Sequence, residues 1–210
     1  MNPLFAYLDP LPLIAVLRGI TPEEIPAIAG ALVAEGFRVL EVPLNSPRPF
    51  ESIRLLARTC GEQCLVGAGT VLDTADVARV RDAGGKLVVM PHADTAVIRE
   101  AKGQGMVCVP GVATPTEAFA ALAAGADGLK MFPAEALPPG ALKAWRAVLP
   151  RATLVFAVGG IRPDTMGGYW SVGASGFGTG SNLYAPGAPA ETVRAAAAEY
   201  AAGFRALPAR

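Results

Sequence analysis

One lysine of this sequence stands in an apolar run, Gly128-Leu129-Lys130-Met131-Phe132-Pro133, and is the first candidate for chemistry. The other three lysines, Lys86, Lys102 and Lys143, lie in polar, turn-like or helix-like surroundings where an ammonium is easily solvated. A desolvated amine has a lowered pKa, because burial disfavours its charged form, and it is then a nucleophile near neutral pH. The alternative is a lysine at a strand edge whose ammonium reaches water, which is the commoner situation for this residue type.

A carboxylate and a guanidinium are expected near this amine. Glu41 stands between Leu40 and Val42 in a second apolar run, and Arg18 ends a third. Because side chains alternate along a strand, Arg18, Glu41 and Lys130 converge on one cavity if each faces inward. Glu41 would then have a raised pKa and serve as acid and base in turn, which suits Schiff-base chemistry on a carbonyl compound. The alternative is a buried ion pair that only specifies packing.

Eight short β-rich runs must position these residues, and a helix-like segment follows each of them. A repeat of about 20 to 26 residues is the shortest that a strand–helix unit occupies. Most runs are apolar on both faces, which is typical of parallel strands covered by helices. We therefore expect an α/β fold, a single-domain (β/α)8 TIM barrel over residues 1–210 with a short N-terminal helix at 3–8. An open doubly wound sheet is the alternative. The predicted strands are 13–18, 39–44, 65–71, 87–91, 107–113, 128–133, 154–160 and 176–183.

Capping residues and glycines indicate where the helices begin and end. Thr21, followed by a proline and two glutamates, predicts the N-cap of a first helix that ends before Gly36. Asp73 and Thr114 are expected to cap two later helices in the same way. The last helix is rich in alanine and is expected over residues 190–207.

Composition and charge exclude several classes of function. Of the 210 residues 52% are hydrophobic, and 18 basic side chains balance 18 acidic ones, so no net charge favours binding to nucleic acid or to an anionic membrane. No basic signal region and no apolar run of ~18 residues is found, which predicts a cytoplasmic protein without a membrane span. Three cysteines without a C-x-x-C pattern predict free thiols. The single histidine, His92, excludes a multi-histidine zinc site, and no clustered aspartates favour magnesium.

Two glycine-rich strand ends predict a phosphate site. The seventh run ends in Val158-Gly159-Gly160-Ile161, and the eighth contains Gly178-Thr179-Gly180-Ser181-Asn182. Backbone N–H groups at a helix start bind anions, and the loops after the last two strands of such barrels frequently hold phosphate. The alternative for these glycines is a pair of tight turns. Earlier in the chain, Gly67-Ala68-Gly69-Thr70 would let a small substrate approach the backbone, with the Thr70 hydroxyl as a donor.

These motifs together resemble the class I 2-keto-3-deoxy-6-phosphogluconate aldolase family along nearly the whole chain. They occur in the family's order, as Val39-Leu40-Glu41-Val42, Gly67-Ala68-Gly69-Thr70-Val71, Lys130-Met131-Phe132-Pro133-Ala134-Glu135 and Gly159-Gly160-Ile161. The resemblance implies that Lys130 forms a Schiff base with the substrate, that Glu41 is the general acid and base, and that no metal or other cofactor takes part. It also implies a homotrimer. The implied substrate-binding residues are Thr70, Pro91 and Phe132, and the implied phosphate-binding residues are Gly159, Gly160, Ile161, Gly180 and Ser181.

Within this family the sequence departs from the phosphogluconate branch. That branch has an arginine four residues beyond the glutamate, where this sequence has Asn45, and a threonine before the Gly-Gly pair, where this sequence has Val158. The pattern here, including Arg18 before Gly19, looks like the 2-keto-3-deoxy-6-phosphogalactonate aldolases. Arg18 would then supply the guanidinium that Asn45 lacks. The segment Pro133-Ala134-Glu135 is equally typical of the phosphogluconate branch.

The resemblance therefore implies reversible aldol cleavage of a small phosphorylated keto-deoxy sugar acid, 2-dehydro-3-deoxy-6-phosphogalactonate, to pyruvate and D-glyceraldehyde 3-phosphate. Arg18, Asn45 and Val158 are expected to contact this substrate. Cleavage of the gluconate-derived isomer is the first alternative. A phosphate-binding barrel isomerase or epimerase is a second, since it would use the glycines without needing Lys130. A sugar-phosphate binding protein without catalytic activity is a third.

Overall fold

A parallel sheet of nine strands forms the centre of the computed structural model, which describes residues 2–209. The strands are β1 (Leu13–Val16), β2 (Val39–Pro43), β3 (Leu65–Gly69), β4 (Leu87–Val89), β5 (Val107–Val109), β6 (Gly111–Val112), β7 (Leu129–Met131), β8 (Val155–Val158) and β9 (Gly176–Thr179). Their order in the sheet is β5-β4-β3-β2-β1-β9-β8-β7-β6. Each predicted run therefore contains at least one strand.

The sheet closes into a barrel at Pro110. β5 pairs with β4, β6 pairs with β7, and Pro110 is the single residue that joins β5 to β6. Since proline has no N–H to donate, the ladder is interrupted there, and the predicted fifth strand is observed as two short segments. These segments together occupy one of eight strand positions. The prediction of a (β/α)8 barrel is confirmed, and the open doubly wound sheet is wrong.

Helices follow the strands along the chain. They are α1 (Ile25–Ala34), α2 (Pro49–Cys60), α3 (Thr74–Asp82), α4 (Thr95–Gly103), α5 (Pro115–Ala123), α6 (Pro139–Arg146), α7 (Met166–Ser171) and α8 (Ala190–Arg205). Asp73 caps α3 through a bond from the Ala75 N–H, and Thr114 forms a capping box with Glu117 at α5, as predicted. No helix within residues 2–209 is both long and apolar enough to span a membrane.

The first helix begins later than its predicted N-cap at Thr21. α1 starts at Ile25, after a turn, and Thr21 does not cap it. Instead the N–H and the hydroxyl of Thr21 donate to the carboxylate of Glu24 at 2.8 and 2.9 Å. The end of the helix is as predicted, because Gly36 has a φ of 101° that glycine adopts without strain.

Most strands end one to four residues earlier than the predicted runs. Arg18, Thr70 and Pro91 all lie beyond the last residue of their strand. Thr70 has a φ of 55°, a left-handed conformation that no strand residue adopts. The chain therefore leaves the sheet at these residues and enters the loops at the C-terminal mouth of the barrel.

The sheet separates two apolar cores. The outer core lies between the strands and the helices, and the inner core fills the barrel with the opposite strand faces, among them Ile14, Val39 and Phe156. Leu4 and Leu8 belong to the inner core. They come from the N-terminal 3-10 helix (Pro3–Tyr7) and the residue that caps it, so this helix closes the barrel at the end opposite the mouth.

Candidate active site

A cavity of about 530 Å³ opens at the C-terminal mouth of the barrel. This volume lies within the range of sites for small metabolites. Loops that follow β1, β7, β8 and β9 form most of its wall. The residues predicted from the sequence that line it are Arg18, Lys130, Phe132, Val158, Gly159, Gly160, Ile161, Gly180 and Ser181.

Lys130 lies in the middle of β7 at the floor of this cavity. Its backbone N–H donates to Pro110 O at 2.8 Å, and the residue is 6% exposed. Its Nζ is 4.6 Å from the centroid of the Phe132 ring, a cation–π distance. Burial lowers the pKa of Lys130, the charge of Glu41 opposes that shift, and the charge of Arg18 adds to it. The amine is therefore more easily deprotonated than an ordinary lysine.

Glu41 approaches the same amine from β2, in the barrel interior. It is 1% exposed, and its Oε2 is a buried oxygen that has no hydrogen-bond partner among the described residues. Burial raises the pKa of Glu41 to about 7, although the charges of Lys130 and Arg18 each lower it. A carboxyl with this pKa both accepts and releases a proton near neutral pH.

Glu41 and Lys130 both line a second, smaller cavity of about 10 Å³ beneath the main one. That volume is close to what a single water occupies. Ion pairs within 4.0 Å among residues 2–209 do not include these two side chains. The two side chains therefore form no ion pair within 4.0 Å, although their charges still interact, and the space that they share is the size of one water.

Gly69 makes room for the Glu41 carboxylate. A Cβ added at Gly69 would lie 1.7 Å from Glu41 Oε2, and one at Gly67 would lie 1.9 Å from Leu87 O. Neither glycine lines the main cavity. The sequence interpretation, in which these glycines let the substrate approach the backbone, is thus corrected: they accommodate a side chain and a neighbouring strand of the protein itself.

Arg18 is exposed on the cavity wall, and Asn45, which lies outside the cavity lining, accepts a hydrogen bond from its guanidinium. Arg18 Nη1 donates to Asn45 Oδ1 at 2.7 Å, and Asn45 itself does not line the cavity. In the next residues, the Gly19 N–H donates to Ser46 Oγ at 2.9 Å. The loop after β2 therefore orients the loop after β1, and Asn45 acts on the cavity through Arg18.

Thr70 and Pro91, both expected to bind substrate, also lie outside the cavity lining. Thr70 directly follows Gly69, so it is at the mouth next to Glu41. Pro91 lies two residues beyond β4, and a Cβ added at Gly111 would be 2.4 Å from its carbonyl oxygen. The structure thus places both residues at the correct end of the barrel without bringing them against the main cavity.

Gly159 and Gly160 both have left-handed backbones, with φ of 112° and 61°, and start the loop after β8. On the opposite side, Gly180 and Ser181 begin a tight turn after β9 in which the Leu183 and Tyr184 N–H groups donate to Gly180 O at 2.8 and 3.0 Å. These two loops are the walls at which the sequence predicts phosphate binding. Both are accessible from the cavity.

Three polar residues of the cavity wall were not assigned to the site from the sequence: Glu135, Asn182 and Tyr184. Glu135 lies against the glycine pair, since a Cβ added at Gly159 would be 2.7 Å from its Oε2. Asn182 and Tyr184 belong to the same turn as Ser181. The sequence signal for Asn182 is that it directly follows Ser181 in the glycine-rich segment.

Cys60, Cys64 and Cys108 are buried free thiols, as predicted. Within residues 2–209 no group of three or more His, Cys, Asp or Glu side chains is placed to hold a metal ion. His92 is exposed in the loop after β4.

A closed parallel barrel with a buried lysine at its mouth cavity, and a buried carboxyl group that shares a smaller cavity with this lysine, is the architecture of a barrel enzyme that acts on a small organic molecule. The sequence matches the model of the KDPG and KHG aldolase family over residues 6–194, and the chain belongs to this family.

Individual relatives agree with this family. A probable 2-dehydro-3-deoxy-6-phosphogalactonate aldolase of Rhizobium meliloti (strain 1021) is 50% identical over 93% of this chain and 92% of its own length. The 2-dehydro-3-deoxy-6-phosphogalactonate aldolase of Escherichia coli (strain K12) is 46% identical over 93% of this chain and 95% of its own. A solved structure described as native KDPGal superimposes with a TM-score of 0.92 at 45% identity, covering 95% of this chain and 97% of the other.

Proposed function

We propose that this protein is a class I aldolase that reversibly cleaves 2-dehydro-3-deoxy-6-phosphogalactonate to pyruvate and D-glyceraldehyde 3-phosphate. The observation that carries the proposal is the buried amine of Lys130 at the floor of the cavity, next to the buried carboxyl of Glu41. The relatives that are 50% and 46% identical carry this activity in their names.

Catalysis begins with the neutral amine of Lys130. Its nitrogen attacks the C2 carbonyl carbon of the substrate, and loss of water leaves a protonated imine. The lowered pKa of Lys130, which follows from burial, makes the neutral amine available. The imine then takes the place of a metal or another cofactor as the electron sink for carbon–carbon bond cleavage.

Glu41 moves the protons. Its carboxylate accepts the proton of the C4 hydroxyl, the C3–C4 bond breaks, and the bonding electrons enter the iminium to form the enamine of pyruvate. Glyceraldehyde 3-phosphate leaves. The Glu41 carboxyl then returns its proton to C3, and water hydrolyses the resulting imine to release pyruvate and the free Lys130 amine. A water in the small cavity shared by Glu41 and Lys130 would relay these transfers.

The charged ends of the substrate are matched to two parts of the cavity wall. Gly159, Gly160, Gly180 and Ser181 offer backbone N–H groups and a hydroxyl to the phosphate. Arg18 adds a positive charge held in place by Asn45. Because the wall at Val158 is apolar, it offers no hydrogen bond to a C4 hydroxyl from that side, and we propose that this selects the galactonate-derived isomer.

We further propose that the enzyme works as a homotrimer in the cytoplasm as part of galactonate catabolism. Exposed apolar side chains, among them Leu72 at 56% and Phe119 at 46% exposure, are available for contacts between copies of the chain. Light scattering of the purified protein tests the assembly, and a mass equal to one chain would contradict it.

Borohydride reduction in the presence of pyruvate tests the chemistry. We expect a covalent adduct with the mass of reduced pyruvate, located on Lys130 by peptide mapping. Lys130→Met should abolish both the adduct and turnover, whereas Lys143→Met, which changes an exposed lysine on α6, should alter neither. Glu41→Gln should keep measurable adduct formation and lose most turnover. Turnover that survives in folded Lys130→Met would contradict the aldolase proposal and favour an isomerase or epimerase.

A further inference from the structure

The carboxylate of Glu24 joins two loops of the cavity mouth. Its Oε2 accepts hydrogen bonds from the N–H and the hydroxyl of Thr21 at 2.8 and 2.9 Å. Its Oε1 accepts bonds from the Tyr184 hydroxyl and the Gly187 N–H, both at 2.9 Å. The two bonds from Thr21 fix the carboxylate within its own loop, the loop after β1 (residues 17–24), and the two bonds from Tyr184 and Gly187 bind it to the loop after β9 (residues 180–189).

Both of these loops line the cavity. Arg18 and Gly19 come from the first, and Tyr184 and Pro186 from the second. The loops also touch directly, since a Cβ added at Gly19 would lie 2.7 Å from Pro186 Cγ. A shift of either loop therefore changes the distance between Arg18 and the opposite wall.

Tyr184 connects Glu24 to the predicted phosphate site, because it forms hydrogen bonds with both. Its N–H donates to Gly180 O at 3.0 Å, so its backbone belongs to the turn that carries Gly180 and Ser181, while its hydroxyl is held by Glu24. Glu24 does not line the cavity itself. Any effect of Glu24 on the substrate must therefore act through these two loops.

The negative charge of Glu24 persists around neutral pH, and Tyr184 stays neutral. Partial burial alone would raise the pKa of Glu24, but the N–H groups of Thr21 and Gly187 and the hydroxyls of Thr21 and Tyr184 together hold it below its usual value. Burial, with the bond to Glu24, raises the pKa of Tyr184, which keeps its proton as a donor. Hydrogen bonds to an ionised acceptor are stronger than neutral ones.

We infer that Glu24 is a positioning residue that sets the spacing of the Arg18 loop and the Ser181 turn, and thereby the affinity for the phosphorylated end of the substrate. The inference rests on the proposed function, because it assumes that the phosphate binds at this turn. Formation of the imine at Lys130 does not depend on Glu24, since β7 and β2 position the reacting groups.

Steady-state kinetics of Glu24→Gln test the inference, with Glu23→Gln as the matched control. The amide nitrogen cannot accept the two bonds now made to one carboxylate oxygen. We expect KM for the phosphorylated substrate to rise about tenfold and kcat to change less than about twofold, which corresponds to the loss of a charge-assisted hydrogen bond. Borohydride trapping with pyruvate should be unchanged. Glu23 is exposed and pairs with Arg48 outside the cavity, so Glu23→Gln should match the parent protein.

Tyr184→Phe provides a second variant, since it removes one of the four bonds and keeps the ring. We expect Tyr184→Phe to raise KM less, about threefold. When Tyr184→Phe is added to Glu24→Gln, it should raise KM by less than about threefold, because the two side chains act through one contact. The dissociation constant of inorganic phosphate, measured by calorimetry, should follow the same order. An unchanged KM and phosphate affinity in folded Glu24→Gln would overturn the inference, as would an equal loss of pyruvate trapping.

The two proposals fail in different ways. Absence of a pyruvate adduct in the parent protein would contradict the proposed aldolase chemistry alone. In that case the weaker binding of inorganic phosphate to Glu24→Gln, relative to Glu23→Gln, would still support the positioning of the phosphate turn, and equal binding would overturn it.

Discussion

Glu41 and Gly69 are in such close contact that position 69 has no room for a side chain. The Glu41 carboxylate lies over the Gly69 backbone, and an added Cβ would be 1.7 Å from Oε2 and 2.3 Å from Cδ. The two residues are on paired strands, with Glu41 opposite Gly67 and Pro43 opposite Gly69. The sheet register therefore decides which glycine accommodates the carboxylate.

Gly69→Ala should displace the Glu41 carboxylate and lower kcat by at least about 100-fold, the lower range of what general acid–base catalysis contributes. Overpacking should also destabilise the protein by about 1–3 kcal/mol. Kinetics and chemical denaturation measure both effects. Gly103→Ala is the control, because nothing lies within 4 Å of a Cβ added there. A Gly69→Ala enzyme with parental kcat would show that the carboxylate position is not required.

The free energy of unfolding should depend on pH through Glu41. Its pKa is about 7 in the folded protein, compared with an ordinary value of 4.5. Between these values the folded state retains a proton that the unfolded state has lost, so stability falls as pH rises through this window and levels off above it. The difference corresponds to roughly 3 kcal/mol. Glu41→Gln cannot ionise and should gain stability relative to the parent over this window; a pH-independent difference in urea denaturation would contradict the prediction.

Turnover should have its own pH dependence. In the proposed mechanism cleavage uses the Glu41 carboxylate as the base for the C4 hydroxyl, so kcat should rise through about pH 7, the pKa of this group. The residual kcat of Glu41→Gln should lack this inflection. If the inflection persisted in that variant, another group would be the base.

Val158→Thr should shift specificity towards the gluconate-derived isomer. Val158 lines the cavity, and threonine replaces one methyl by a hydroxyl at nearly the same volume. We expect the ratio of kcat/KM for the galactonate-derived and gluconate-derived substrates to fall about tenfold, because a new hydrogen bond favours one C4 configuration. Val158→Ala, which adds no donor, should not produce this shift. A parent enzyme that already prefers the gluconate-derived substrate would disprove the substrate assignment and leave the family intact.

A chelator should leave the activity unchanged. In the proposed mechanism the imine of Lys130 accepts the electrons, and no step requires a metal ion. Assays after dialysis against EDTA, with and without added Mg²⁺ or Zn²⁺, measure this. Loss of turnover that a divalent ion restores would contradict the Schiff-base mechanism.

The strand positions and the barrel were predictable because hydrophobic patterning is local. Apolar runs such as 39–44 and the capping residues Asp73 and Thr114 report on their own segments, and the structure agrees with them. The start of α1 was not predictable from its segment. Thr21 is a residue type that often caps helices, but here it donates hydrogen bonds to the carboxylate of Glu24. The same carboxylate accepts bonds from Tyr184 and Gly187, which are more than 150 residues further along the chain.

Some site residues could likewise be placed from local sequence patterns, and others could not. The alternation of side chains along β2 and β7 was enough to predict that Glu41 and Lys130 face the barrel interior. Their burial there explains their shifted pKa values. Whether Thr70 and Pro91 line the cavity depends on how the loops leave the strands, which local patterning does not encode.

The sequence by itself determined the repeating architecture and the inward placement of Lys130 and Glu41, since burial and alternation act over a few residues. Tertiary structure alone decided that Gly69 accommodates Glu41, that Asn45 acts through Arg18, and that Glu24 links the two loops of the mouth. These are contacts between distant segments. Their geometry depends on strand register and loop paths, which are set only when the barrel closes.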